Sequence, residues 1–328
     1  MRRLRAAVIG VGYLGRYHAL KYQALPQVDL VGVVDIQAER ARKVAEQLRT
    51  RAFTDYRDLI GRIEAATVAV PTTEHHPIAR ELLEHGIHVL VEKPIAATIE
   101  QAEDLVDVAG RQGAILQVGH LERFNPAVQA LAGRVTNPLF VESHRISPFA
   151  GRGLDVDVVL DLMIHDIDIL LSTIRTDIVQ LDAVGVPVLT PRYDIVNARF
   201  RFGSGCVANV TASRVSAKSM RKIRVFQHDA YLSADCTGGE VQVFRRIPAA
   251  GSSGLPQIVA EKVVVEASDP LLEEVRSFVE AVGNRKPPLV DGMQGLRCLE
   301  VAHRIIRQIE ESVPERLRET LAESDNRV

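Results

Sequence analysis

With 328 residues, 46% of them hydrophobic, and a net charge of −2, the chain has material for two buried cores. Charges of both signs are scattered along it, so neither a basic stripe for nucleic acid nor an acidic partner segment is expected, and no apolar run reaches membrane-spanning length. The three cysteines, Cys206, Cys236 and Cys298, stand far apart in no metal or redox spacing and read as buried thiols of a reducing compartment. The opening Met1-Arg2-Arg3-Leu4-Arg5 imitates a secretory start. Gly10, Gly12 and Gly15 interrupt the apolar stretch behind it, so a cytoplasmic protein is expected.

The first 120 residues alternate short apolar runs with helix-length segments, the pattern of βαβ units and a parallel, doubly wound sheet. Strands are expected at Ala6–Ile9, Leu30–Val34, Thr67–Val70, Val89–Val91 and Ile115–Val118. Between them, helical spacing covers Arg16–Ala24, Ala38–Leu48, Ile78–His85 and Ile99–Arg111, the last with Thr98 as N-cap. After Asn125-Pro126 the pattern changes. One amphipathic segment, Asp157–Thr173, precedes alternating runs at Ile195–Phe202, Val207–Val215, Ile223–Phe226 and Val241–Ile247, which read as an antiparallel sheet. Pro248–Pro256 is the most loop-like stretch, two helices near Leu271–Val282 and Gly292–Glu311 close the fold, and the tail beyond Ser312 looks frayed. The division expected is 1–122 for a first, dinucleotide-binding domain and 123–328 for substrate binding and oligomerisation, the last helix packing back on the first domain.

Gly10-Val11-Gly12-Tyr13-Leu14-Gly15 lies between a predicted strand and a predicted helix, the context that gives a G-x-G-x-x-G match its meaning. The first glycine permits the tight turn, the second lets backbone approach a pyrophosphate, and the third lets helix and strand pack closely. Asp35 ends the second strand, where a carboxylate accepts hydrogen bonds from ribose hydroxyls and repels a 2′-phosphate. NAD is therefore expected over NADP, although Arg40 is placed to swing toward a phosphate. A glycine turn of another nucleotide fold is the bland alternative.

Lys93 follows the run Val89-Leu90-Val91-Glu92 and precedes Pro94, so it leaves a strand end where ligands settle. The Lys93-Pro94 bond is a candidate for cis geometry. Asp161, His165 and Asp168 form a second cluster. On a regular helix the first two are i and i+4 and share a face. Asp and His at this spacing also suit zinc, or form an exposed acidic face with an incidental histidine; with no third histidine or cysteine pair nearby, no metal is expected. For hydride transfer from an alcohol, His165 is the best base near neutral pH and Lys93 the group to stabilise a developing alkoxide.

These segments resemble the Gfo/Idh/MocA oxidoreductases. The carriers are AVIGVGYLG, AVPTTEHHPIA around His75, GIHVLVEKPIA at Lys93 and DLMIHDID at His165, of which Glu-Lys-Pro after a strand is the most specific. The resemblance implies an N-terminal Rossmann domain, a C-terminal α/β domain with a large open antiparallel sheet, and NAD(P)-dependent oxidation or reduction of a sugar-like alcohol. It implies Lys93, Asp161 and His165 as the catalytic set, and Thr72, His75, Glu92 and Gln117, with Tyr13 and Leu14 of the loop, as cofactor neighbours. It also implies a homodimer or homotetramer built through the open sheet. The segment GRGLDVDVVLDLMIHD has Asp155 and Asp157 where many members are glycine-rich. With VGHLERFNPA it looks most like the branch that oxidises the 3-hydroxyl of UDP-N-acetylglucosamine, a step toward 3-amino sugars of some lipid A pathways. Arg123, Asn125 and Arg152, with Asp157, Asp161 and His165, are then candidate substrate contacts, the arginines suited to a diphosphate. Arg123 and Asn125 read equally as residues that secure the domain junction. Other sugar or inositol dehydrogenases, NAD-dependent glycoside cleavage with no net redox change, and dinucleotide sensing without turnover stand as alternatives.

Overall fold

Residues 2–149, 156–247 and 257–312 are described in the computed structural model. The chain forms two compact units, one from Met1–Phe124 and Asp269–Leu299, the other from Asn125–Ser268 and Glu300–Val328. The first unit thus includes a segment from late in the chain, where the sequence suggested a division at 122/123 with the last helix packing back on the first domain. The expected loop at Pro248–Pro256, the tail beyond Ser312, Arg152 and Asp155 all lie outside the described residues.

The first unit runs β1 (Leu4–Ile9), α1 (Tyr13–Ala24), β2 (Val28–Val34), α2 (Ala38–Leu48), β3 (Arg51–Phe53), β4 (Ala65–Val68), α3 (Thr72–Glu84), β5 (His88–Glu92), α4 (Ile99–Gln112) and β6 (Leu116–Gly119). Its six strands pair in parallel in the order β3-β2-β1-β4-β5-β6. Winding reverses between β1 and β4, and ligands of such sheets settle outside the carboxyl ends of the strands there. Strands covered on both faces need apolar residues at every position. Ala65–Val68 and the Val89–Val91 run are accordingly buried throughout. On α2, Ala41, Val44, Ala45 and Leu48 recur at helical spacing and all face inward. Thr98 caps α4 by accepting the Gln101 N–H at 3.3 Å.

The second unit runs α5 (Pro126–Ala132), β7 (Pro138–Ile146), α6 (Ile164–Thr173), β8 (Ile178–Val186), β9 (Ile195–Phe202), β10 (Val207–Ser213), β11 (Met220–Gln227), β12 (Ala230–Asp235), β13 (Glu240–Ile247) and β14 (Gln257–Val263). These strands make one sheet in the order β14-β13-β12-β11-β7-β10-β9-β8. Its neighbours are antiparallel except β7 and β10, which run parallel from Phe140↔Val207 to Ile146↔Ser213. The purely antiparallel expectation misses this pair because the chain leaves β7 through the helical segment before returning, and a parallel neighbour requires such a crossover.

The chain then enters α7 (Pro270–Asn284), which belongs to the first unit, and α8 (Gly292–Ser312), which passes from the first unit into the second. Asp269 caps α7 by accepting the N–H groups of Leu271 and Leu272, with Pro270 in the first turn. Val275, Phe278 and Val279 join the core that Tyr22 and Val8 occupy, each stabilising the unit by on the order of 1.5–3 kcal/mol through burial. No described helix is long and apolar enough to cross a membrane.

Candidate active site

The glycine loop closes the end of β1 against α1. Gly10 has φ of +81°, and a Cβ there would stand 2.5 Å from the Ala69 carbonyl oxygen. A Cβ on Gly15 would stand 1.8 Å from the Gly10 oxygen, so only a hydrogen fits where helix meets loop. Around Gly12 nothing lies within 4 Å of a Cβ position. The open space sits at the N-terminus of α1, whose Gly12 cap brings no side chain and whose first turn carries no acid. N–H groups at the positive end of a helix dipole suit a pyrophosphate. We expect Gly12→Ala to weaken dinucleotide binding at least ~10-fold with an unchanged melting curve, and Gly15→Ala to lower stability by about 1–3 kcal/mol. Calorimetric titration and thermal unfolding of both variants check this contrast.

At the end of β2, Asp35 is 5% exposed and accepts the N–H groups of Val11 at 3.2 Å and Gln37 at 2.9 Å. Arg40 Nη1 lies 3.2 and 3.3 Å from its two oxygens. A cleft of about 350 Å³ opens beside Gly12 and Tyr13, lined by Arg16, Arg40 and Lys43. Lys43 stands one helical turn beyond Arg40 on α2, a spacing that marks it in hindsight beside the Arg40 already singled out in the sequence; Arg16 gave no comparable signal.

Lys93 is half-buried directly after β5, and its bond to Pro94 is cis. Two contacts fix the backbone around it. The Lys93 N–H donates to Glu92 Oε2 at 3.2 Å, and the Pro94 carbonyl lies 2.8 Å from His75 Nδ1. His75 Nε2 lies 3.0 Å from the Val70 carbonyl, so the ring ties the end of β4 to the end of β5. Burial pushes the His75 imidazole below its ordinary pKa, against the pull of both carbonyls. Glu92 and Gln117, also expected at the cofactor, face the interior: Glu92 bonds His18, and Gln117 Nε2 donates to the Glu274 carbonyl at 3.1 Å. Thr72 is half-buried at the start of α3.

In the second unit Asp157, Asp161 and His165 follow one another on one segment, each half-buried. Sequence periodicity predicts a regular helix from 157 to 173. Instead Val159–Met163 forms a π turn, closed by the Ile164 N–H on the Val159 carbonyl, before α6 begins. Such single turns insert one extra residue and recur at functional sites. Buried pairs hold one end of the segment and part-buried ones the other. Asp166 accepts from Arg145 Nε and Ser143 Oγ of β7, each at 2.6 Å. Ahead of the turn, Asp157 Oδ1 accepts the Tyr193 N–H at 2.9 Å, and Arg214 Nη1 donates to the Val156 carbonyl at 2.9 Å.

A model of an oxidoreductase family with an NAD-binding Rossmann fold matches residues 4–120. UDP-N-acetylglucosamine 3-dehydrogenase of Acidithiobacillus ferrooxidans is 38% identical over 305 residues, covering 92% of this chain and 96% of that protein. The chain belongs to the Gfo/Idh/MocA oxidoreductase family. A solved structure of the same A. ferrooxidans enzyme, GnnA, superposes with a TM-score of 0.88 at 36% identity, over 95% of this chain and 99% of that one. The scyllo-inositol 2-dehydrogenase (NAD(+)) of Bacillus subtilis is 26% identical over 324 residues, 91% of this chain and 92% of that protein.

Two residues implied by the Gfo/Idh/MocA resemblance as substrate contacts have protein partners in the structure. Asn125 Oδ1 accepts the Ala127 N–H at 3.0 Å as the N-cap of α5, while its Nδ2 donates to the Cys236 carbonyl at 3.1 Å. Arg123 Nη2 lies 3.5 Å from the Leu289 carbonyl. Sequence reasoning missed the polar interior of this Gfo/Idh/MocA chain: His18, Arg145, Asp166, Asp194, Arg214 and Glu274 are all buried. Only Glu274 left a usable trace, as the one charge on the inward stripe of α7 that Leu271, Val275 and Phe278 define.

Proposed function

We propose that this oxidoreductase oxidises a sugar hydroxyl to a ketone with NAD as acceptor, the substrate being the 3-hydroxyl of UDP-N-acetylglucosamine. The observation that carries the reading is a likeness to the A. ferrooxidans enzyme that runs through both units and nearly the full length of both chains. The open backbone at Gly12 fits the pyrophosphate of a dinucleotide, and Asp35 fits its adenosine ribose. When bound, the nicotinamide would take the hydride released as the carbinol C–H bond breaks. His165 accepts the hydroxyl proton, Lys93 stabilises the negative charge growing on the oxygen, and Asp161 orients the imidazole. Arginine side chains suit the diphosphate of the sugar nucleotide, for which Arg123 and Arg152 are the candidates.

NAD is favoured because the Asp35 carboxylate stands where a 2′-phosphate would have to fit, and Arg40 is already committed to it. A homo-oligomer assembled through the sheet of the second unit is supported by Phe140, Phe226, Tyr231 and Phe244. These half-exposed rings stack in a row across four strands at centroid distances of 5.7, 4.8 and 5.2 Å.

Absorbance of the reduced nicotinamide tests the assignment. The purified chain is expected to reduce NAD steadily with UDP-N-acetylglucosamine, with a kcat/KM at least ~10-fold above that for NADP. Turnover of inositols or free hexoses in preference to the nucleotide sugar would transfer the reading to the activity that the B. subtilis relative is named for.

A further inference from the structure

Beneath the end of β5 the first unit holds a polar cluster that the proposed chemistry does not use. His18 of α1, Glu92 of β5 and Glu274 of α7 are 0%, 8% and 0% exposed, and their donor atoms lie within 4.8 Å of one another. His18 Nε2 lies 2.7 Å from Glu92 Oε1, and Glu92 Oε2 accepts the Lys93 N–H. Glu92 also packs on Gly119, where a Cβ would come 3.0 Å from its carboxyl carbon. Neither carboxyl oxygen of Glu274 has a hydrogen-bond partner among the described residues, and the same holds for His18 Nδ1 and Gln117 Oε1.

Two carboxyl groups sharing a buried site resist ionising together. Burial favours the neutral form of Glu92, but the hydrogen bond and charge of His18, and the charge and N–H of Lys93, outweigh it and hold this carboxyl below the ordinary range. Glu274 has no such donors. Burial and the negative charge of Glu92 both push its carboxyl well above the ordinary range. The other titratable groups facing the cluster are neutral around pH 7. The Tyr22 phenol, bonded to Thr67 of β4 at 2.9 Å, is raised by burial, and the His75 ring of α3 is lowered by burial.

We propose that His18, Glu92 and Glu274 act as one buried positioning unit whose two carboxyl groups keep a single proton between them, so that the Glu92 carboxylate, held against His18, stays ionised next to Lys93. Its activity readout rests on the reading of Lys93 as a catalytic residue; its spectroscopic and stability readouts do not. Glu274→Gln imitates the neutral acid. In the whole chain at neutral pH, the infrared difference between wild type and this variant is expected to lose one protonated-carboxyl C=O band. A group whose pKa is higher folded than unfolded gives stability below its unfolded pKa that is lost as pH rises toward the folded value. The Tm advantage of Glu274→Gln over wild type is therefore expected to widen between about pH 5 and about pH 8. Glu92→Gln removes the fixed charge instead, and is expected to move the basic limb of the kcat/KM profile to lower pH. An infrared difference without that band, or a Tm gap independent of pH, would overturn the shared proton. Stoichiometric zinc in the purified protein that Glu274→Gln removes would overturn it as well, by making the three donors a metal set. An unshifted Glu92→Gln profile in an active enzyme would overturn the link to Lys93. If no sugar is oxidised at all, the infrared and melting results still decide whether the proton is there.

Discussion

Replacement of Lys93 by alanine is expected to lower kcat at least ~100-fold while calorimetry records unchanged NAD affinity, and His165→Ala is expected to do the same. Neither belongs to the glycine loop or to the Asp35 shell, so the contacts proposed for the dinucleotide survive their loss. What disappears is a group that acts only as charge moves in the reaction, which lowers kcat more than it changes KM. The double variant should lose little more than either single one if both groups act on the same oxygen, because residues that work as a unit are not additive. Near-normal turnover in either single variant would remove the acid-base assignment.

A comparably large effect is expected on stability at Asp194. This carboxylate is fully buried and accepts the N–H groups of Val188, Leu189 and Thr190 at 2.8, 2.6 and 2.9 Å. Its other oxygen accepts from Thr190 Oγ1 and from Arg214 Nε, both at 2.8 Å. Alanine at 194 would break this buried ion pair and strip the three N–H groups of their acceptor, a loss of about 3–5 kcal/mol in a denaturant titration. Activity should fall too, since Arg214 and Tyr193 hold residues 156–158 ahead of the π turn. The carboxyl itself adds a pH signature. Burial opposes its ionisation, yet the backbone donors and Arg214 bring its pKa down to about 2. A depressed folded pKa gives stability that is present above the unfolded value and lost as pH falls through the folded one. About 2 kcal/mol should therefore vanish in acid between roughly pH 4 and pH 2, and Asp194→Asn should flatten that limb.

Much of the first unit was legible because its strands are buried on both faces and read as unbroken apolar runs, while α2 and α4 carry their inward stripe at helical spacing. The edge strand Arg51–Phe53 was not, being three residues long with none fully buried. β7 and β8 escaped notice for another reason: polar Ser143 and Arg145 occupy the buried face of β7, and Val179, Val184 and Val186 are exposed on β8, so neither strand shows a clean alternation. Among the candidate residues, the glycine fingerprint, Asp35, Lys93 and His165 announced themselves through residue type in a recognisable local context. His18, Asp194, Arg214 and Glu274 did not. Their partners lie 74, 20 and 20 residues away in the first three cases, and Glu274 meets Glu92 across most of the chain, so no local pattern encodes the encounter.

The extra residue in the turn at Val159–Met163 makes segment length a constraint in its own right. Deleting one residue there would let ordinary winding resume, but each α-helical residue turns the axis by about 100°, so Asp161 would be swung away from its bearing relative to His165. Side-chain exchange in this stretch is therefore a matter of degree, whereas a codon-sized deletion would put its two halves out of phase.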